Sequence, residues 1–151
     1  MNAMKITMML ADHAQVADSK LYIMGGGWTV AGSGVPSAIA IIISVPWDEA
    51  NVRHTAHLKL VDSDGAAFTV PTPNGEQPFS VSMGFEAGRP PGTKKGSDLP
   101  VLLAVNFPPL PLKPGTRYEW QLLIDDEKQP LEVLPFSTRE MVPVPPTPPS
   151  P

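Results

Sequence analysis

Apolar and polar residues alternate along short stretches of this chain, the period expected of a β-strand with one buried face. The clearest cases are residues 53–61 and 79–86. Ser37–Val45 is apolar at nearly every position, which is typical of a central strand covered on both faces. Further candidate strands cover residues 5–11, 20–24, 67–70, 99–107, 118–124 and 131–136.

Turn residues separate these segments, and no long helical period occurs between them. Residues 46–51 are the best candidate for a single helical turn, and the segment 114–120 (PGTRYEW) predicts a turn clamped by Tyr118. Eight or nine short strands at roughly ten-residue spacing predict an all-β fold. The expected architecture is a two-sheet antiparallel β-sandwich of Greek-key or jelly-roll type, because several connections are too long for simple hairpins.

Proline divides the chain into a predicted sandwich domain, residues 1–138, and a proline-rich arm, residues 139–151. Proline fixes φ and lacks an N–H donor, so MVPVPPTPPSP (141–151) continues neither a sheet nor a helix. Apolar residues interrupt the prolines and predict a stripe that docks on a neighbour; the docking candidates are Met141, Val142, Val144, Pro145 and Pro146. The alternative for such a segment is a tail without a fixed structure.

Composition narrows the class of partner. Hydrophobic residues make up 42% of the chain, which excludes a disordered protein, and charged residues make up only 17%, against about 25% on average. A surface so poor in charge is typical of a protein partly covered by another, or by copies of itself. The net charge is −4 and cations do not cluster beyond Lys94-Lys95, so neither a nucleic-acid nor a membrane partner is expected.

The N-terminal apolar run of six residues is shorter than a signal peptide requires, so the protein is expected to be cytoplasmic when made. The chain has no cysteine, which excludes disulfides and thiol catalysis.

Catalytic chemistry is not expected. His54 and His57 are three residues apart on a strand and point to opposite faces, and His13 has no candidate nucleophile beside it. Asp62, Asp64 and Gly65 resemble the start of a calcium loop, but Pro73 occupies the twelfth position, so a hairpin turn is favoured. The sequence therefore predicts no catalytic residue, no metal ligand and no cofactor.

Tryptophans and one basic loop are the candidate interaction residues. Trp47 lies in a polar segment and is the tryptophan expected to be partly exposed; the alternative is that its ring covers the end of the sandwich. Trp28 follows Gly25–Gly27, a segment that favours a bulged strand over a phosphate loop because strand formers follow it. The basic loop at residues 88–98 contains Arg89, Lys94 and Lys95, which suit an acidic partner; the alternative is an ordinary mobile loop.

Three blocks carry a family resemblance: LYIMGGGW (21–28), VPWDEAN (45–51) and PGTRYEW (114–120). With the sequence around them, they resemble a family of bacterial, largely actinobacterial, proteins that form a domain of unknown function. The resemblance covers about four-fifths of the chain and leaves out the proline-rich arm. It implies no activity, cofactor or catalytic residue.

The function expected from these features is that of a non-enzymatic structural protein. It would form a homo-oligomer or decorate a larger particle, such as a virion or another shell, with the proline-rich arm docked on a neighbour. The alternative is a β-sandwich module that binds a sugar or a peptide and uses Trp28 or Trp47 as a stacking platform.

Overall fold

The computed structural model describes residues 4–32 and 34–140. These residues form eleven strands and one 3-10 turn, η1. The elements are β1 (Lys5–Ala17), β2 (Lys20–Gly26), β3 (Val30–Ala31), β4 (Ser37–Val45), η1 (Trp47–Glu49), β5 (His54–Asp62), β6 (Thr69–Thr72), β7 (Gly75–Pro78), β8 (Ser80–Phe85), β9 (Leu99–Phe107), β10 (Arg117–Ile124) and β11 (Glu132–Thr138). The docking candidates Met141, Val142, Val144, Pro145 and Pro146 lie outside the described residues.

The strands form two main sheets. The first sheet has the order β2-β1-β4-β9 and is antiparallel throughout. The second has the order β3-β11-β10-β5-β8, and only its edge pair, β3 with β11, is parallel. A separate hairpin joins β6 to β7. The predicted all-β class is confirmed.

Both sheets contribute side chains to one core. Ile39, Ile41 and Ile43 of the first sheet are fully buried, and so is Leu122 of the second. Trp120 of β10 stacks on Phe107 of β9, with 4.8 Å between the ring centroids, so this aromatic pair links the two layers. The sheets therefore pack face to face, as the sandwich prediction requires.

The strand count and one pairing differ from the sequence prediction. β3, β6 and β7 are two to four residues long, too short to show a period. The strand predicted at residues 67–70 overlaps β6, whereas β7 was not predicted. The parallel β3–β11 pair also departs from a purely antiparallel sandwich. β3 reaches this position because the chain crosses from the first sheet to the second after β2.

β1 is longer than predicted because it bends and serves two partners. Residues 5–11 pair with β4, and residues 11–17 pair with β2. Past the bend, the Asn106 side chain of β9 binds the backbone of β1 as a paired strand would. Its Oδ1 accepts a hydrogen bond from the Ala14 N–H at 3.2 Å, and its Nδ2 donates to the Ala14 carbonyl at 2.7 Å. Buried alanines at positions 14, 38 and 40 allow the β1–β2 hairpin to lie over the outer face of the sheet.

Two local predictions are confirmed. The helical turn expected at residues 46–51 is η1, and Tyr118 clamps the preceding turn because its hydroxyl accepts a hydrogen bond from the Lys113 N–H at 2.9 Å. In the part of the chain that the structure describes, no helix has the length and apolar character needed to cross a membrane.

Candidate functional site

A cleft of about 220 Å³ opens between the two sheets, where the chain crosses from β2 to β3 and on to β4. Apolar side chains dominate its lining, and Asp12 and Arg139 are the charged residues in it. The other lining side chains on which the argument depends are Leu10, Trp28, Val35, Leu110, Leu112, Trp120 and Phe136. We call this feature the Trp28 cleft.

The triple glycine makes the crossing possible. Gly25 and Gly27 have φ angles of +63° and +93°, which L-residues with side chains rarely adopt, and the Gly27 N–H donates to the Leu10 carbonyl at 2.8 Å. A Cβ on Gly25 would overlap the Asp12 carboxylate. The chain continues into β3 rather than into a helix, so the segment lacks the helix N-terminus that a phosphate loop uses.

Gly25→Ala is expected to lower the free energy of unfolding by about 1–2 kcal/mol, because alanine is strained at a positive φ and its Cβ must displace the Asp12 side chain. Gly88→Ala is the matched control, since a Cβ there meets open space. Urea unfolding of both variants measures the difference. Equal stabilities would show that the left-handed backbone at Gly25 is not required.

Trp28 lies half-buried in the wall of the cleft and packs edge-to-face on Phe136, with ring centroids 6.5 Å apart. Its indole Nε1 is buried and has no hydrogen-bond partner among the described residues. The indole N–H is a donor only, and burying it unpaired costs about 1–3 kcal/mol. Trp28 thus carries one buried donor without an acceptor.

The other interaction residues that the sequence predicted lie outside the Trp28 cleft. Trp47 does not line the cleft, and it packs half-buried against the core. The Arg89 guanidinium lies 4.2 Å from the centre of the Trp47 ring and donates to the Trp47 carbonyl at 2.6 Å. Lys94 and Lys95 are exposed in the same loop, next to two hydrogen-bonded turns. Arg89 therefore stabilises the position of Trp47 through a cation–π contact and a hydrogen bond to its carbonyl.

A polar cluster that the sequence did not predict surrounds His54. His54 is buried, stacks on Phe85 and donates from Nδ1 to Asp125 Oδ2 at 2.7 Å. Its Nε2 lies 3.3 Å from Glu49 Oε2, an ion-pair contact. The three residues come from β5, η1 and the turn after β10, so only the fold brings them together. As predicted, His57 points elsewhere, and its Nδ1 lies 2.8 Å from Ser82 Oγ.

Opposing effects act on the Asp125 carboxyl. Partial burial alone would raise its pKa, but the hydrogen bond from His54, the Thr55 N–H and the nearby imidazole charges lower the pKa below its ordinary value. The charged carboxylate is therefore the form that the fold stabilises.

The edge strand β2 forms the second candidate surface. Ten large hydrophobic side chains are exposed in the described ranges, and half of them lie on β1 and β2: Met9, Val16, Tyr22, Ile23 and Met24. In the part of the chain that the structure describes, β2 pairs only with β1. The sequence analysis did not single out this surface.

The hairpin turn fixes which backbone groups of β2 point outward. Asp18 and Ser19 both have positive φ and form a two-residue turn, so Ala17 and Lys20 are a hydrogen-bonded pair. Hydrogen-bonded pairs alternate along the ladder, so the N–H and C=O groups of Leu21 and Ile23 point away from β1. The same alternation directs the Ala14 groups to the other side of β1, where Asn106 binds them.

These features define an all-β sandwich with a cleft between its sheets and an exposed apolar edge at β2. The chain belongs to a family of unknown function, DUF6941, whose model matches residues 6–136. The predicted resemblance to a family of unknown function is confirmed at this level, and its largely actinobacterial distribution stays a prediction. A comparison with curated proteins gives no significant match.

Proposed function

We propose that this protein is a non-enzymatic assembly protein whose β2 edge pairs with the β2 edge of a second copy. The observation that carries the proposal is the outward backbone of Leu21 and Ile23 on an exposed apolar strand. Unpaired edges of this kind bind other strands unless charges, prolines or coverage protect them. The middle of β2, Leu21–Met24, has neither charge nor proline.

The other sheet edges are less suited to pairing. β3 is two residues long, β8 alternates serine with its larger residues, and β9 has Pro100 near its start. Pro71 and Pro78 interrupt the small β6–β7 hairpin. Residues 101–105 of β9 are apolar but half-buried, whereas Tyr22, Ile23 and Met24 are all exposed. β2 is therefore the edge in the described ranges whose apolar side chains are most open to a partner.

Antiparallel pairing about a two-fold axis closes the assembly at two copies and extends the first sheet from four strands to eight. A register centred on Tyr22 pairs Leu21 of one copy with Ile23 of the other. It also sets the two half-exposed Tyr22 rings directly opposite each other, a cross-strand aromatic contact. A dimer of this kind can be the free protein or the unit that decorates a larger particle.

The test is the solution mass of the full-length protein by light scattering over a dilution series. Ile23→Pro removes an outward N–H and leaves the hydrogen bonds to β1 in place, so we expect a folded monomer at concentrations where the wild type is a dimer. Tyr22→Lys is expected to weaken association at least tenfold by placing like charges opposite each other.

Val133→Lys is the matched control for Tyr22→Lys, because Val133 is an exposed apolar residue of the second sheet and lies outside β2. We expect its mass to equal that of the wild type. A monomeric wild type at all concentrations, or a dimer unaffected by Ile23→Pro, would overturn the proposal.

The second candidate function is binding of a sugar or peptide in the Trp28 cleft. The aromatic residues Trp28, Trp120 and Phe136 in a mostly apolar lining favour it. Trp28 fluorescence, titrated with glycans and with peptides, tests it against a Trp28→Phe control. An unchanged spectrum with every compound would exclude this candidate.

A further inference from the structure

We propose that the Trp28 cleft binds a small zwitterion with an apolar side chain, of the size of one free hydrophobic amino acid. Arg139 binds the carboxylate of this ligand, Asp12 binds its ammonium group, and the apolar lining receives its side chain. The inference goes beyond the functions proposed above, because it needs no second copy and its ligand is neither a sugar nor a peptide.

Two opposite charges lie at the rim of the cleft. Asp12 belongs to β1 and Arg139 follows the end of β11, and both side chains are exposed. They form no ion pair with each other, and neither has a side-chain hydrogen bond or ion pair within residues 4–32 and 34–140. Both charged groups are therefore free to bind a ligand.

The backbone fixes where these two side chains start. The Arg139 N–H donates to the Ala31 carbonyl at 3.0 Å, which holds the end of β11 against β3. The Asp12 carboxylate lies beside Gly25, and the missing Cβ of this glycine leaves room for it. Because both backbone positions are set before a ligand arrives, less of the binding free energy is lost in ordering the site.

The interior of the cleft suits an apolar side chain. Leu10, Trp28, Trp120 and Phe136 line it, and three of them are buried residues of the core, with Trp28 half-buried. The volume of about 220 Å³ is below the roughly 300–1,000 Å³ of typical sites for drug-sized ligands. The cleft is therefore of the right size for a ligand with a single apolar side chain.

Charge complementarity determines the polar end of the ligand. A guanidinium binds a carboxylate through two parallel hydrogen bonds, and a carboxylate accepts hydrogen bonds from an ammonium group. A purely apolar ligand would use neither charge of the rim, and a fatty acid or an alkylamine would use only one. A zwitterion pairs with both Asp12 and Arg139, which are the charged residues among those that line the cleft.

Calorimetric titration of the full-length protein with L-leucine tests the inference. We expect a dissociation constant of about 1 mM or lower. Glycine carries both charges but has no side chain, so it should bind at least about tenfold more weakly because it buries little apolar surface. Isocaproate lacks the ammonium group of leucine, and leucinamide lacks its carboxylate. Each should bind about fivefold more weakly than leucine, the scale of one exposed ion pair.

Substitutions at the rim assign each charge of the ligand to its partner. Asp12→Asn should weaken leucine binding about fivefold and leave isocaproate binding unchanged. Arg139→Gln should weaken leucine binding by a similar factor and leave leucinamide binding unchanged. Asp126→Asn and Arg117→Gln are the matched controls, because both residues are exposed and lie outside the cleft. Both controls should bind leucine like the wild type, and circular dichroism checks that every variant is folded.

No detectable binding of L-leucine or L-phenylalanine at about 10 mM would overturn the inference. Leucine binding that neither Asp12→Asn nor Arg139→Gln weakens would overturn it too, because these charges would then not recognise the ligand. Isocaproate that binds as tightly as leucine would overturn the zwitterion in favour of an apolar carboxylate. The titration of Ile23→Pro should give the wild-type affinity, since the cleft lies within one copy; this keeps the result separate from the test of pairing through β2.

Discussion

Replacing Trp120 with alanine is expected to lower the free energy of unfolding by about 3–5 kcal/mol. Trp120 is 2% exposed, stacks on Phe107 of the opposite sheet and contacts Phe79 edge-on with 6.1 Å between centroids. Its removal leaves a cavity between the two layers that rigid strands cannot close. Thermal and urea unfolding measure the loss.

Val133→Ala is the control for Trp120→Ala, because it removes an apolar side chain that is 38% exposed on the outer face of the second sheet. Its expected effect is within about 0.5 kcal/mol. If the two substitutions cost the same, Trp120 does not hold the sheets together in the way the packing indicates.

Asp125→Ala is expected to cost about 2 kcal/mol at pH 7, because it leaves His54 and the Thr55 N–H without their acceptors. The figure is at the lower end for a charged acceptor since the Asp125 side chain is 46% exposed and solvent weakens its interactions. The fold lowers the pKa of Asp125, so its stabilising effect is complete above the ordinary carboxyl pKa of about 4 and is lost as the pH falls through the lowered value.

Urea unfolding of wild type and Asp125→Ala at pH 7, 5 and 3 tests this dependence. The stability difference should be smaller at pH 3 than at pH 5, because Asp125 loses its charge as the pH falls through its lowered pKa. Asp126→Ala, at the exposed neighbouring position, should match the wild type throughout. A difference that stays constant down to pH 3 would show that the Asp125 charge does not stabilise the fold.

Much of the fold follows from local patterns in the sequence. Alternation located β5 and β10, the apolar run located the central strand β4, and PGTRYEW predicted the Tyr118 clamp. The sequence predicted a bulged strand at the glycines with strand formers after it, but it did not predict that β3 joins the second sheet, because a two-residue strand has no period and exists only through its pairing with β11. The bend in β1 depends on Asn106, which lies 92 residues away from Ala14.

The candidate sites were less predictable. Trp28 was chosen for its glycine neighbours, but the cleft around it combines both sheets and the end of β11, a juxtaposition that no local pattern encodes. The Glu49–His54–Asp125 cluster was missed for the same reason, because its three residues come from separate segments of the chain. The β2 edge follows from more local features. The two-residue turn fixes which residues of β2 point outward, and Tyr22 and Met24 lie on one face of the strand, where both are exposed.

The most direct test of self-assembly through β2 is amide hydrogen exchange of Leu21 and Ile23, measured by NMR at low and high protein concentration. Pairing predicts that both amides exchange quickly in the dilute protein and become protected as the dimer forms. Tyr22 and Met24, whose amides bond to β1, serve as internal controls and should be protected at both concentrations. Fast exchange of Leu21 and Ile23 at every concentration, with the controls protected, would contradict the account.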